Sequence, residues 1–235
     1  MQTLLLVDLD GTLIDTPHYE AWRNAARQIG AGELTHEEYL VNIAGRPRLE
    51  GASRLLELKK DGLAVDISSN ELAEIKQAEF LRLSVDARLF DDALRLLKRI
   101  EISQQCVKFY TASQNAADLF RAMLRKADLS LEQRNSVQSN IVQRNIVQRN
   151  IVQQGRDQTR EALFLELIKD QDLSAVTLID DSPHSVDVAC HLGIRAYQIH
   201  RNELLPVSTD PRARIIRSFD DISIPILDTP IVDTI

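Results

Sequence analysis

Two aspartates, Asp8 and Asp10, close the short apolar run Leu4-Leu5-Leu6-Val7, and Gly11 and Thr12 follow at once. Residues two apart on an extended chain face the same way, so the two carboxylates converge. A carboxylate can attack an electrophilic phosphorus to give an acyl phosphate, which splits one difficult hydrolysis into two easier displacements. The second carboxylate can protonate the leaving alkoxide and then take a proton from the attacking water. Gly11 lets the backbone turn tightly, and the amides around Gly11 and Thr12 can point at a phosphate.

Carboxylates this close repel unless a cation offsets them. Mg2+ is the natural one, a hard ion that takes oxygen ligands and keeps several waters. Asp180-Asp181, at the end of another apolar run, supplies further carboxylates. A phosphate brought here also needs donors and positive charge. Thr111, directly after the run 106–110, offers its hydroxyl and nearby amides; Arg156 is the preferred cation and Arg160, one helical turn later, the runner-up. Plainer roles compete with these. Asp180 and Asp181 can form a helix N-cap with Ser182, and Thr111 can cap a helix over 115–125, although Ser113 suits that position better.

The elements that must position these groups follow from pattern. Residues 3–7, 106–110, 175–179 and 195–199 are short apolar runs that read as buried parallel strands. Helical stretches such as 158–168 and 185–192 separate them, which predicts an α/β fold with a parallel sheet and right-handed crossovers. Residues 17–100 lack a strong strand run and are rich in helix formers, so they read as a helical cap inserted into a Rossmann-like core of residues 1–16 and 101–235. Trp22, Ala25 and Ile29 share a helical face suited to the core of that cap.

Residues 135–154 repeat with a period of five: Asn-Ser-Val-Gln-Ser, Asn-Ile-Val-Gln-Arg twice, then Asn-Ile-Val-Gln-Gln. That period matches neither helix nor strand, and four pentads are too few to bury a solenoid core, so the repeat reads as an exposed insertion without catalytic duty. The net charge of -7 and pI near 5.3 disfavour nonspecific binding to nucleic acid or a membrane surface. Cys106 and Cys190 stand far apart in apolar runs and read as free thiols. The opening apolar run is too short for a secretory segment and no run approaches transmembrane length, so a cytoplasmic protein is expected. Oligomeric state is left open.

In order and placement, Asp8-Leu9-Asp10-Gly11-Thr12, Phe109-Tyr110-Thr111-Ala112-Ser113 and Ile179-Asp180-Asp181-Ser182 resemble the first, second and fourth motifs of the haloacid dehalogenase superfamily of phosphotransferases. The resemblance covers nearly the whole chain. It implies Asp8 as nucleophile and Mg2+ ligand, Asp10 as acid/base with its backbone carbonyl on the metal, Asp181 as a direct ligand and Asp180 as a partner behind it or through water. The third motif normally holds a lysine; here Arg156 matches the position counted back from Asp181, and Arg160 fits a variant placement. Arginine keeps the charge but is a planar fork, so the exchange is not conservative. His18 and the loop Gly45-Arg46-Pro47-Arg48 resemble cap residues of the beta-phosphoglucomutase-like subgroup that contact substrate. The expected activity is Mg2+-dependent hydrolysis of a small phosphorylated metabolite through phospho-Asp8. The alternatives are a sugar-phosphate mutase and, from another class, a noncatalytic binding protein that kept the fold.

Overall fold

The computed structural model of the chain describes residues 3–63, 66–103, 106–113, 115–132, 150–155, 158–203 and 205–222. Among them are eight strands: β1 (Leu4–Asp8), β2 (Ile14–Asp15), β3 (Arg88–Leu89), β4 (Cys106–Thr111), β5 (Ile151–Gln153), β6 (Val176–Asp180), β7 (Arg195–Ile199) and β8 (Arg214–Ile216). The α-helices are α1 (His18–Gln28), α2 (His36–Asn42), α3 (Arg48–Lys59), α4 (Ser69–Leu83), α5 (Asp91–Ser103), α6 (Ala116–Glu132), α7 (Arg160–Leu167) and α8 (Pro183–His191). The chain divides into two compact units, one of Met1–Asp15 with Arg88–Ile235 and one of Thr16–Ala87.

The first unit is built on a six-stranded sheet in the order β5-β4-β1-β6-β7-β8, with every pairing parallel. It is the Rossmann-like α/β arrangement that the alternation of apolar and helical runs predicts. β1 lies in the middle, buried on both faces. Leu5 and Val7 pack on one side with Phe109, Phe120, Ile100 and Phe219, while Leu4 and Leu6 pack on the other with Leu178, Phe164 and Val186. Each such side chain contributes roughly 1.5–3 kcal/mol when fully buried, so four in succession hold the strand in register from both faces.

After β1 the chain builds the sheet outward through β4 and β5, then returns to β6 on the other side of β1 and continues through β7 and β8. The order therefore reverses between β1 and β6, and the carboxyl ends of strands at such a point form a crevice. Asp8, Thr111 and Asp180 are each the last residue of their strands. The short antiparallel pair of β2 with β3 sets the departing segment, Ile14–Asp15, beside the returning one, Arg88–Leu89.

Two sequence expectations need correction. Helix α5, read as part of the inserted segment ending near residue 100, belongs to the sheet unit: Ala93, Leu96, Leu97 and Ile100 pack into the core beside β1 and β4. Its apolar face is as suited to a sheet as to a helix bundle, which is why helical pattern alone misplaces it. The last pentad of the repeat is not an exposed insertion. Ile151, Val152 and Gln153 form β5, paired with Phe109, Tyr110 and Thr111. Residues 135–149 of the repeat lie outside the described residues, as does Arg156.

The Thr16–Ala87 unit has its own core of Trp22, Ala25, Ala26, Ile29, Leu34, Leu55 and Leu72. Capping boxes at Thr35 with Glu38 and at Ser68 with Glu71 start α2 and α4. Among the described residues no helix is long and apolar enough to cross a membrane. Both cysteines are free, Cys190 buried and Cys106 partly so.

Candidate active site

The loop after β1 is tied down by its own backbone. Leu13 and Ile14 donate to Leu9 O at 2.9 Å, and Gly11 donates to Ile14 O at 3.0 Å. Gly11 sits at φ +79°, and a Cβ there would lie 2.9 Å from the Asp181 carboxyl carbon. Glycine is thus required both by the turn and by the approach of that carboxylate. The fully buried Thr12 completes the joint: its Oγ1 accepts from Asp181 N at 3.0 Å and lies 3.4 Å from Asp181 Oδ1.

Carboxylate oxygens of Asp8, Asp180 and Asp181 all lie within 4.8 Å of one another. Burial first, then the charges of Asp180 and Asp181, push the Asp8 carboxyl well above the ordinary carboxylate range, while Arg160 acts the other way. Asp181 is raised as well, by burial, Asp180 and Asp10. Three carboxylate oxygens crowded at this cost could hold a hard divalent cation such as Mg2+, whose charge would offset the repulsion that burial magnifies. Asp180 is the most constrained of the three. Its Oδ1 accepts from Ser182 N at 2.8 Å and its Oδ2 from the Tyr110 hydroxyl at 2.5 Å.

The cation that the structure brings to these carboxylates is Arg160, at the start of α7. Burial disfavours its charge, but Asp180, Tyr110, Asp8 and Asp181 outweigh that and hold it protonated. Its guanidinium stands over the rings of Tyr110 and Phe164, 5.5 and 5.9 Å from their centroids. Its Nη1 is buried and has no hydrogen-bond partner among the described residues. Thr159 caps the helix by accepting from Ala162 N at 3.1 Å. Thr111 is fully buried at the end of β4, where its Oγ1 accepts from Ser113 N at 3.0 Å, so it closes a local turn and keeps its hydroxyl proton for another acceptor.

Behind the loop lies a brace that motif reading misses. Arg201, after β7, donates to Thr12 O from Nη2 at 2.8 Å and from Nε at 3.2 Å. Asp92 on α5 holds Arg201 at 3.2 Å and accepts from Phe219 N at 2.9 Å and Ser218 Oγ at 3.1 Å. Gln198, fully buried on β7, donates to Asp181 O at 2.9 Å. A lone Arg, Asp or Gln at a strand or helix end carries no sequence signal for such work.

His18, Arg46 and Arg48 belong to the Thr16–Ala87 unit, and the contacts given below lie within it. His18 Nδ1 is 2.9 Å from the buried Lys76 Nζ, and its ring stacks on Phe80 at 4.5 Å. Lys76, which no motif indicates, also sits over Trp22 and Phe80. Arg46 pairs with Glu50 at 2.6 Å, and Arg48 donates to Gln77.

No protein-family model and no curated protein matches the sequence. Solved structures do match, and the fold they share with this chain is that of the haloacid dehalogenase-like hydrolases. Three illustrate the likeness. An archaeal beta-phosphoglucomutase from Pyrococcus sp. strain ST 04 is 22% identical with a TM-score of 0.63, covering 95% of this chain and 96% of its own. CbbY from Rhodobacter sphaeroides, solved with xylulose 1,5-bisphosphate, is 17% identical with a TM-score of 0.69, covering 97% of this chain and 100% of its own. A predicted phosphoglycolate phosphatase from Haemophilus somnus 129pt is 12% identical with a TM-score of 0.71, covering 94% and 96%.

Proposed function

We propose that this protein is a Mg2+-dependent phosphatase that hydrolyses a small phosphorylated metabolite through an aspartyl-phosphate on Asp8. The observation that carries the reading is the triad of Asp8, Asp180 and Asp181 oxygens within 4.8 Å, the first two residues buried and the third partly so, with Arg160 beside it and its Nη1 unpartnered among the described residues. Asp8, Asp180 and Asp181 would hold the Mg2+, with the Asp10 backbone carbonyl as the family resemblance implies. When bound, the ion supplies positive charge against the carboxylates and the phosphate oxygens.

The chain's own groups account for the rest. An Asp8 oxygen attacks phosphorus, the bond from phosphorus to the ester oxygen breaks, and Asp10 gives its proton to the leaving alkoxide. Asp10 then takes a proton from water as that water attacks the phospho-Asp8, which releases phosphate and restores Asp8. Arg160, Thr111 and the amides around Gly11 and Thr12 bind the phosphoryl oxygens. Arg160 is assigned this phosphate-binding role because its charge bears on Asp8; Arg156, the first choice from sequence, lies outside the described residues.

A second reading, a sugar-phosphate mutase, is favoured by His18, which the buried Lys76 and the Phe80 ring hold in one orientation. Net isomerisation of a hexose phosphate without phosphate release would establish it.

The test is hydrolysis of an aryl phosphate, followed by a phosphorylated-metabolite panel, with Mg2+ or with EDTA. Mg2+-dependent turnover that Asp8→Asn lowers by about 10³-fold or more is expected. Turnover that survives Asp8→Asn would remove the nucleophile from the mechanism. Silence on the whole panel would favour the noncatalytic reading.

A further inference from the structure

We infer that Tyr110 is a positioning residue that sets two charges of the site separately, the Asp180 carboxylate through its hydroxyl and the Arg160 guanidinium through its ring. The inference rests on the phosphatase reading for the duties of those two charges. Tyr110 lies opposite Asp8 in the register of β1 and β4, and its backbone oxygen accepts from Leu9 N at 3.1 Å. Its side chain is fully buried, a position in a parallel strand that an apolar residue would fill at less cost in polar burial.

The hydroxyl spends its one proton on Asp180 Oδ2 at 2.5 Å. With Ser182 N on Oδ1, the carboxylate is fixed at both oxygens and cannot rotate. Such outer partners of a metal ligand orient it and tune the site. The ring works independently of the hydroxyl. Tyr110 and Phe164 meet edge to face at 5.4 Å and 78°, and the Arg160 guanidinium lies over both. A cation over such faces is attracted by the ring quadrupoles, and a guanidinium brings several donors in a planar fork where an ammonium is a compact point charge. The aromatic bracket therefore seats the Arg160 cation through its charge over the two rings, which leaves Nη1, without a partner among the described residues, to meet a phosphate.

The two arms are separable by titration calorimetry of Mg2+ alone, and of inorganic phosphate in saturating Mg2+, into folded wild type, Tyr110→Phe and Tyr110→Leu. Tyr110→Phe keeps the ring and loses the hydroxyl; the Mg2+ dissociation constant is expected to rise about tenfold with phosphate affinity within about twofold of wild type, since the cation–π contact with the ring is retained. Tyr110→Leu is expected to weaken phosphate on the order of tenfold as well. Wild-type Mg2+ affinity in Tyr110→Phe overturns the hydroxyl arm, and equal phosphate affinity in the Phe and Leu variants overturns the ring arm. Circular dichroism checks folding. If Tyr110→Leu does not fold, Arg160→Lys stands in for it, and unchanged phosphate affinity there overturns the role given to the guanidinium on these rings. Wild type that binds both ions yet hydrolyses nothing defeats the phosphatase reading while leaving both arms readable; wild type that binds neither defeats both.

Discussion

At the scale of residues, part of the cost of the site is carried by Asp8. Its carboxyl is held well above the ordinary carboxylate range by burial and by Asp180 and Asp181. A carboxyl whose folded pKa exceeds its unfolded one adds stability that is fully present below the unfolded pKa and is lost as pH rises through the folded one. In EDTA the wild type therefore loses stability as pH rises from the unfolded value towards the folded one. Asp8→Asn removes one of the three charges and keeps the shape, so we expect it to melt at least about 2–4 °C higher in EDTA, the shift that 1 kcal/mol gives in a chain of this size. The gap should close as pH falls below about 4, where aspartates are protonated in the unfolded chain. Thermal melts across pH decide it, and an asparagine variant no more stable than wild type would show that the carboxylates do not strain the fold. Mg2+ should raise the wild-type Tm further, by mass action on the folded state.

The element scale concerns how three strand ends and one loop are kept together. Arg201 and Asp92 join the segment after β7 to α5 and to the Ser218-Phe219 backbone, and through Thr12 they reach Asp181. Burial alone would raise the Asp92 carboxyl, but Phe219 N, Arg201 and Ser218 outweigh it and hold the carboxyl below its ordinary value. A depressed carboxyl contributes stability above its unfolded pKa and loses it as pH falls through the folded one. Asp92→Asn should therefore cost about 1–2 kcal/mol at pH 7, with the penalty shrinking below about pH 4. Denaturant titrations at several pH values test this; a penalty that does not vary with pH would assign the loss to packing. None of this brace was visible in the sequence, because its partners are 109 and 189 residues apart and belong to no local pattern.

At the scale of the whole molecule, the pentad repeat changes meaning. Its last copy is the edge strand of the sheet, and Ile151 and Val152 pack against the cores on opposite faces. The preceding copies at 140–144 and 145–149 carry the same Asn-Ile-Val-Gln. Deleting residues 140–144 leaves that strand sequence intact, so turnover and Tm should match wild type. Ile151→Asp should instead cost about 2 kcal/mol or more, because it replaces a partly buried apolar contact with the core by a charge set against it. Melting curves and aryl-phosphate turnover of both variants test the assignment, and an unfolded deletion variant would contradict it.

What the residues by themselves determined about this protein were the parallel sheet and the placement of Asp8, Thr111 and Asp180 at the ends of its strands. Uninterrupted apolar runs are strong local signals for buried strands, and carboxylates rarely end such runs unless they bind an ion or do chemistry. Only the tertiary structure decided that α5 packs on the sheet, that Ile151–Gln153 is a strand, and that Arg160 bears on Asp8. An amphipathic helix does not say what covers its apolar face, and a three-residue edge strand is too short to show a period. A cation's partner is set by distance in space, which spacing along the chain does not encode.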